Sequence, residues 1–418
     1  MLINKLKQKL ANPFVRNVGW LSGAEFTNRI LRLGSTVVVA RILSPYDYGL
    51  IAIVLTTYDF ATVFAIKSGI GSKLIQADKQ DLEVLCDTAY WLNWIVCVLL
   101  FVVQCLIAFP IGWFYGNNQV ILPICFIGLS YLTLPFFSIQ SSLIQRENRL
   151  EVLALCNVAQ TFFNSTITMI LVLLGLRIWA IVIPFLLSTP IWIVITLRNH
   201  PWRPTAPFTL YRWKEIAGFS TNIIGVELLN KLRANLDYLL VGRFLGVEAL
   251  GVYFFAFNAG LGISLNVLNS FSLSLFPHLC AVRDDFQQFR NRYFSSLKTM
   301  ALVVVPLVLL QSGLAPFYVP FVFGQKWVTN GALPILILIC LSAVPRPFAD
   351  AASMLLQAVD KIQINLYWNL IFTVLFAICL LVAVNWGVIW VAAAVLISHA
   401  IALPLFTVWA SRYVLAKR

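Results

Sequence analysis

The sequence predicts an all-α integral membrane protein of about twelve transmembrane helices in two pseudo-symmetric six-helix lobes, and three observations carry that prediction. Of 418 residues, 60% are hydrophobic and only 11% are charged, with a mean hydropathy of +0.85. Apolar runs recur from one end of the chain to the other, each close to the roughly 20 residues a helix needs to cross a hydrocarbon core about 30 Å thick. A polar signature in the first run returns 202 positions later, in the seventh. No water-soluble domain buries so much apolar surface, so the bilayer is the solvent and backbone polar groups must be satisfied inside helices.

In chain order, residues 1–16 form a basic N-terminus carrying Lys5, Lys7, Lys9 and Arg16. It lacks a small-residue cleavage site and leads into a span holding Glu25, Arg29 and Arg32, so it does not read as a secretory signal. Spans at 17–42, 48–67, 88–113, 119–143, 152–175 and 178–197 make an N-terminal lobe, 17–197. Residues 198–216, basic and interrupted by Pro201 and Pro204, form a cytoplasmic linker. Spans at 217–242, 250–276, 299–323, 330–357, 362–384 and 387–411 make a C-terminal lobe, 217–411, and 412–418 is a cytoplasmic tail. Cys97, Cys105, Cys125, Cys156, Cys340 and Cys379 fall inside spans without CxxC or Cys/His spacing, and read as small packing residues.

Orientation follows from cations near span ends, which are retained on the cytoplasmic side. One set of segments holds Lys5, Lys7, Lys9, Arg16, Lys67, Lys73, Lys79, Arg146, Arg149, Arg198, Arg203, Arg212 and Lys214, and continues with Arg283, Arg290, Arg292, Lys298, Lys361, Arg412, Lys417 and Arg418. The opposite set holds only Arg41, Arg177, Arg243 and Lys326. An even number of spans with both termini in the cytoplasm fits this split. The net charge of +13 is thus a matter of topology, and no soluble module interleaves basic and aromatic residues as a nucleic-acid partner would require.

The internal repeat is the next observation. A gapless shift of 202 lays Gly23 on Gly225, Glu25 on Glu227, Asn28 on Asn230 and Arg29 on Lys231, then Val39 on Val241, Arg41 on Arg243, Leu43 on Leu245 and Gly49 on Gly251. Apolar matches between membrane helices mean little, but Glu, Asn and a cation are rare there. Six spans separate the copies, so the halves enter from the same side and their pseudo-twofold runs along the membrane normal.

Charges within spans cost a few kcal/mol at the bilayer centre and are kept for pairing or function. Glu25, Arg29 and Arg32 share one helical face at i, i+4 and i+7. Glu227 and Lys231 repeat the pair, Arg233 and Asp237 form another at i, i+4, and Arg346 and Asp350 a third, beside Pro345 and Pro347, which should break the helix. In one reading each acid neutralises its own cation and holds helices together. In the other these faces converge between the lobes into a water-filled, net cationic cavity for an anionic headgroup, with Arg29, Arg32, Lys231, Arg233 and Arg346 as contacts and Glu25, Glu227, Asp237 and Asp350 as charge partners; the planar fork of Arg binds phosphate oxygens in pairs. Asp59 has no i±4 basic neighbour and is a candidate coupling site for H+ or Na+. Asn157, Gln160 and Asn164 on the fifth span, and Asn258, Asn266 and Asn269 on the eighth, serve either sugar hydroxyls or helix contacts. No cofactor or metal is expected.

The segment Ala40-Arg41-Ile42-Leu43-Ser44-Pro45-Tyr46-Asp47-Tyr48-Gly49-Leu50 resembles the corresponding motif of bacterial polysaccharide transporters, the oligosaccharide flippases of the multidrug/oligosaccharidyl-lipid/polysaccharide exporter superfamily. Gly69 to Gln76, Asp237 to Gly246 and Phe323-Gly324-Gln325-Lys326-Trp327 are similar to that family where it would place them, over about residues 15–360. Members usually have fourteen spans, against about twelve here. The resemblance implies a flippase for an oligosaccharide on undecaprenyl pyrophosphate at the bacterial cytoplasmic (inner) membrane, working by alternating access, with bilayer lipids and a polysaccharide polymerase machinery as partners. The alternative is a cation-coupled drug or metabolite antiporter of the same superfamily. A membrane-embedded polymerase or glycosyltransferase is disfavoured, since the non-cytoplasmic connections are short and no HExxH, GxSxG or P-loop occurs, so the chain does not read as an enzyme.

Overall fold

The computed structural model describes residues 13–65, 70–78, 80–205, 207–283 and 285–415. Lys5, Lys7, Lys9, Lys67, Gly69, Lys79, Lys417 and Arg418 lie outside the described residues, as do the side chains of Arg16, Asn266 and Asn269. Among the described residues every regular element is a helix. The first half comprises α1 (Pro13–Ile42), α2 (Pro45–Ala65), α3 (Ile70–Gln76), α4 (Leu82–Phe114), α5 (Ile121–Gly128, prolonged as a 3-10 helix over Leu129–Phe136), α6 (Ser138–Arg146), α7 (Leu150–Leu173), α8 (Trp179–Leu187) and α9 (Pro190–Asn199). The second comprises α10 (Trp213–Phe244), α11 (Val247–Cys280), α12 (Phe286–Tyr318), α13 (Gln325–Thr329), α14 (Ala332–Ser342), α15 (Arg346–Ala358), α16 (Ile362–Ala383) and α17 (Val388–Leu415).

Nine helical segments among the described residues are long and apolar enough to cross a membrane: Pro45–Phe64, Leu82–Phe114, Asn118–Phe136, Leu150–Leu173, Trp179–Asn199, Phe286–Phe323, Ala332–Ala358, Gln363–Trp386 and Val388–Leu415. The charged α1 and α10, of 30 and 32 residues, and α11, of 34, bring the crossings to the twelve that the sequence predicts. At 1.5 Å per residue each of these three is about 45 Å or longer, beyond the hydrocarbon thickness. α4 and α12 likewise start before the predicted spans, because the charged residues near their starts, Glu83 in α4 and Arg290 and Arg292 in α12, are helical outside the apolar stretch.

Among the described residues, three crossings are interrupted near a proline. The third apolar segment tightens to a 3-10 helix around Pro135, α8 gives way to α9 at Ser188 and Thr189 ahead of Pro190, and α14 ends at Ser342 so that α15 restarts at Arg346 between Pro345 and Pro347. A proline cannot donate to the helix ladder and restarts a helix readily at its first turn. The repeat is written in the helix boundaries too: α1 ends at Ile42 and α10 at Phe244, and α2 begins at Pro45 and α11 at Val247, both separations (244 less 42, 247 less 45) being 202.

The chain divides into two compact units, Met1–Ala234 and Asn235–Arg418. In the first, α1 lies along α7, α4 packs on α5, and α7 on α8. Its polar seam runs from Tyr58, stacked on Tyr131, through the Tyr131 hydroxyl to Gln104 Oε1 at 2.7 Å, and from Gln104 Nε2 to the Ile124 carbonyl at 2.7 Å. In the second, α11 packs on α14, and α17 against α14 and α15. There Phe255 stacks on the fully buried Trp327 at 3.8 Å and meets Phe323 edge-on. Gly324 between them holds φ 104°, which a side chain would strain, so this part of the motif is a packing device. Large apolar side chains point outward on both units, for instance Trp113, Leu302, Phe317 and Phe321. In lipid that exposure carries no penalty.

Candidate functional site

The charged face of α1 forms an ion pair two turns long. Glu25 Oε1 meets Arg32 Nη2 at 3.0 Å, and both side chains are more than half exposed. The half-buried Arg29 between them makes no ion pair or hydrogen bond among the described residues. The i, i+4 spacing pairs Glu25 with Arg29, and the structure corrects this: the partner is Arg32, two turns on, whose Nε also approaches the Asn28 carbonyl at 3.4 Å. Asn28 is buried with its Oδ1 unpartnered. Charges this exposed at the middle of a membrane-length helix require water or polar ligand beside them, since hydrocarbon would oppose them by several kcal/mol. α7, against which α1 lies, adds amides: Asn157 is exposed, Gln160 accepts from Trp192 Nε1 at 2.8 Å, and Asn164 keeps a buried, unpartnered Oδ1.

Asp59 finds its cation far away in sequence. Lys231 Nζ of α10 donates to Asp59 Oδ2 of α2 at 3.1 Å, with the lysine 28% and the aspartate 50% exposed. Glu227 and Arg233 are half-buried on the same helix.

The second unit holds a different arrangement. Asp237 is 4% exposed and Tyr253 fully buried. The Tyr253 hydroxyl donates to Asp237 Oδ2 at 2.7 Å, and the Tyr238 backbone N–H donates to Oδ1 at 2.9 Å. Arg346, in the first turn of α15, is within electrostatic reach of Asp237, Tyr253 and Asp350, and its Nε is shielded and without a hydrogen-bond partner. Asp350 is exposed. Tyr253 escaped sequence reasoning because one Tyr in an aromatic-rich helix carries no periodic signal.

Residues 38–330 match the family described as polysaccharide biosynthesis protein. The chain belongs to that family. The match takes in the Asp59–Lys231 pair and Asp237, while Glu25, Arg29, Arg32, Arg346 and Asp350 fall outside it. Among relatives, the teichuronic acid biosynthesis protein TuaB of Bacillus subtilis (strain 168) is 27% identical over 343 residues, covering 80% of this chain and 70% of that protein. Two solved structures have a similar fold. A multidrug resistance MATE family transporter of the MOP superfamily superposes with a TM-score of 0.77 at 13% identity, over 93% of this chain and 96% of that one. The lipid II flippase MurJ superposes with a TM-score of 0.70 at 14% identity, over 94% and 87%. The chain is thus a multi-pass membrane protein of the polysaccharide-biosynthesis family, with a fold similar to those of these two solved structures.

Within the family match, the motif at the first helix joint has a structural explanation. Asp47 Oδ2 accepts from the Ser44 backbone N–H at 3.1 Å and from Ser44 Oγ at 2.7 Å, and the Asp47 N–H donates back to Ser44 Oγ at 3.1 Å. These reciprocal bonds cap the N-terminus of α2 behind Pro45. Tyr46 accepts from Asn117 Nδ2 at 2.5 Å, and Arg177 Nε approaches Asp47 at 3.6 Å, so one motif ties three segments together.

The basic linker is a strap on the first unit. The Thr205 N–H and hydroxyl both bond Asp87, at 3.1 and 2.8 Å, and Thr88 Oγ1 donates to the Tyr211 carbonyl at 2.6 Å. Gln140 Nε2 reaches the Trp202 carbonyl at 3.3 Å, Arg149 Nη1 the Asn199 carbonyl at 2.9 Å, and Arg212 meets Asp81 at 2.8 Å. Cations that topology explains are therefore also tethers. Asp87 was missed because an acid at the head of an apolar run reads as a helix-end charge.

Proposed function

We propose that this transporter is a flippase that moves a lipid-linked oligosaccharide, carried on undecaprenyl pyrophosphate, across the bacterial cytoplasmic membrane by alternating access. The observation that carries this reading is the cationic excess of α1: two arginines against one glutamate at mid-helix, with Arg29 lacking a counter-ion among the described residues and Arg32 more than half exposed. An anionic diphosphate supplies the missing charge, and Arg binds such oxygens in pairs. Lys231, Arg233 and, in the second unit, Arg346 are proposed as further headgroup contacts. The amides of α7 suit sugar hydroxyls. Both termini are proposed to be cytoplasmic, which reporters fused after Lys417 and in the 198–216 linker would test; either one found outside overturns the orientation. Delivery to a polysaccharide polymerase follows from the same reading.

The test is a flip assay in proteoliposomes with a polyprenyl-diphosphate-linked sugar. Arg29→Ala is expected to slow transport about 10- to 100-fold, the loss of one charge-assisted bond, with protein abundance unchanged. Flipping at the wild-type rate would remove α1 from the site. One observation favours a second reading, a cation-coupled antiporter: the half-exposed Asp59 carboxylate within a crossing. In that case an imposed H+ or Na+ gradient should drive efflux of a small cation and leave the lipid-linked sugar behind.

A further inference from the structure

We infer that Asp59 is a built-in stand-in for the substrate's diphosphate: it pairs with Lys231 and gives the lysine up when the headgroup arrives. This rests on the flippase reading and adds a specificity-determining residue to it. Four features support an exchangeable contact over a fixed brace. The pair joins residues 172 positions apart on α2 and α10 at 3.1 Å, a side-chain contact between helices that can open with both helices' backbone ladders intact. Half of the Asp59 side chain is exposed, and ion pairs open to solvent are weak enough to exchange. Lys231 occupies the repeat position of Arg29, the cation without an ion-pair partner among the described residues. The backbone around Asp59 is pinned, because its carbonyl accepts from Thr62 Oγ1 at 2.8 Å and its neighbour Tyr58 is stacked on Tyr131. The carboxylate can therefore leave the lysine without helix movement.

The chemistry sets the direction of exchange. A diphosphate brings more negative charge than one carboxylate and several oxygens to bond, so it outcompetes Asp59 for the ammonium. A neutral or singly charged headgroup does not. Asp59 would thereby filter against weak anions, which must displace a carboxylate already in place and remain beside its negative charge.

The experiment measures binding of farnesyl diphosphate and of inorganic pyrophosphate to the full-length protein in nanodiscs by titration calorimetry, with thermal unfolding recorded for each variant. Asp59→Asn should bind farnesyl diphosphate about 3- to 10-fold more tightly than wild type, a gain of the size expected from releasing an exposed ion pair and removing a nearby like charge. Lys231→Gln should bind more weakly than wild type, and Asp59→Asn/Lys231→Gln should bind like Lys231→Gln alone. Asp59→Ser serves if Asn does not fold. If neutral residue 59 leaves diphosphate affinity unchanged while wild type binds, Asp59 is only a brace, and the flippase reading stands. A gain that persists undiminished in the Lys231→Gln background also sinks the inference, since the effect would then not pass through the lysine. If wild type binds neither probe, both the inference and the diphosphate assignment fall. Binding of pyrophosphate but not of farnesyl diphosphate keeps the role of Asp59 and overturns the lipid carrier as its source.

Discussion

On α1, Glu25 and Arg32 pair with both side chains more than half exposed, whereas in the second unit Asp237 is 4% exposed and bonded on both oxygens, by the fully buried Tyr253 and by a backbone N–H. Both regions belong to helices related by the 202-residue repeat, yet Asp237 falls on Ser35 and Tyr253 on Ile51. Ser35 is buried and uncharged. The buried acid is thus an addition of the second half, and the exposed pair is not its counterpart. A satisfied, shielded carboxylate is built to hold its own unit together and to face Arg346. An exposed pair of like geometry to water is built to exchange partners.

If that contrast is right, the largest effect comes from the buried cluster. Asp237→Ala leaves the Tyr253 hydroxyl and the shielded guanidinium of Arg346 uncompensated, and should destabilise the protein by about 3 kcal/mol or more. Tyr253→Phe, which removes one bond to a charged group, should lose about 1.5–3 kcal/mol. Glu25→Ala should lose less than about 1 kcal/mol, as exposed ion pairs do. Unfolding of purified protein in detergent ranks the three. Equal losses at positions 25 and 237 would erase the distinction between the two regions.

Transport sharpens the comparison from the other side. Removing the Arg32 charge should lower flipping about 10-fold or more, a charge-assisted bond being worth about 1.5–3 kcal/mol, with little change in stability. Glu25→Gln/Arg32→Gln decides between scaffold and site: wild-type flipping in that double variant would make the pair a brace, whereas a persistent defect at normal abundance places Arg32 on the substrate path.

The crossings were legible in the sequence because length and hydropathy are local properties: the nine apolar crossings among the described residues lie where apolar runs stand, α1, α10 and α11 fill the other predicted spans, and Pro345 and Pro347 marked the break before α15. Partners were less legible, because i, i+4 arithmetic sees only one helix. It gave Glu25 to Arg29, left Asp59 with none, and offered Asp237 to Arg233, while the structure supplies Arg32, Lys231 and Tyr253. Two of those three contacts cross between helices, and nothing in spacing encodes which helices touch. The strap was invisible for the same reason: Asp87 and Thr205 are 118 residues apart.

That strap offers the next test. Thr205→Val removes the hydroxyl bond to the buried Asp87 and leaves the backbone bond, so it should cost about 1–2 kcal/mol and raise the rate at which trypsin cuts after Arg212. Asp87→Asn, which weakens both bonds, should go further. Unchanged cutting in both variants would mean that Trp202 and Phe208, seated against Tyr90 and Trp91, hold the strap without them.

The smallest effect is a pH dependence at the start of the strap. His200 is 11% exposed; its Nδ1 accepts from the Trp202 N–H at 3.2 Å, so its Nε2 carries the proton and points toward Glu147 at 3.4 Å. Burial holds its pKa below the ordinary 6.5, aided by Arg149 and Arg203, and Glu147 only partly offsets this. The folded pKa lies under the unfolded one, so as pH falls the unfolded chain takes up its proton first. Stability from this group is therefore complete above about pH 6.5 and declines as pH drops toward the folded value. Between pH 7.5 and 5.5 the wild-type Tm should fall by about 1–3 °C more than that of His200→Gln. A larger fall in the variant would reverse the sign and show that Glu147, not burial, governs His200.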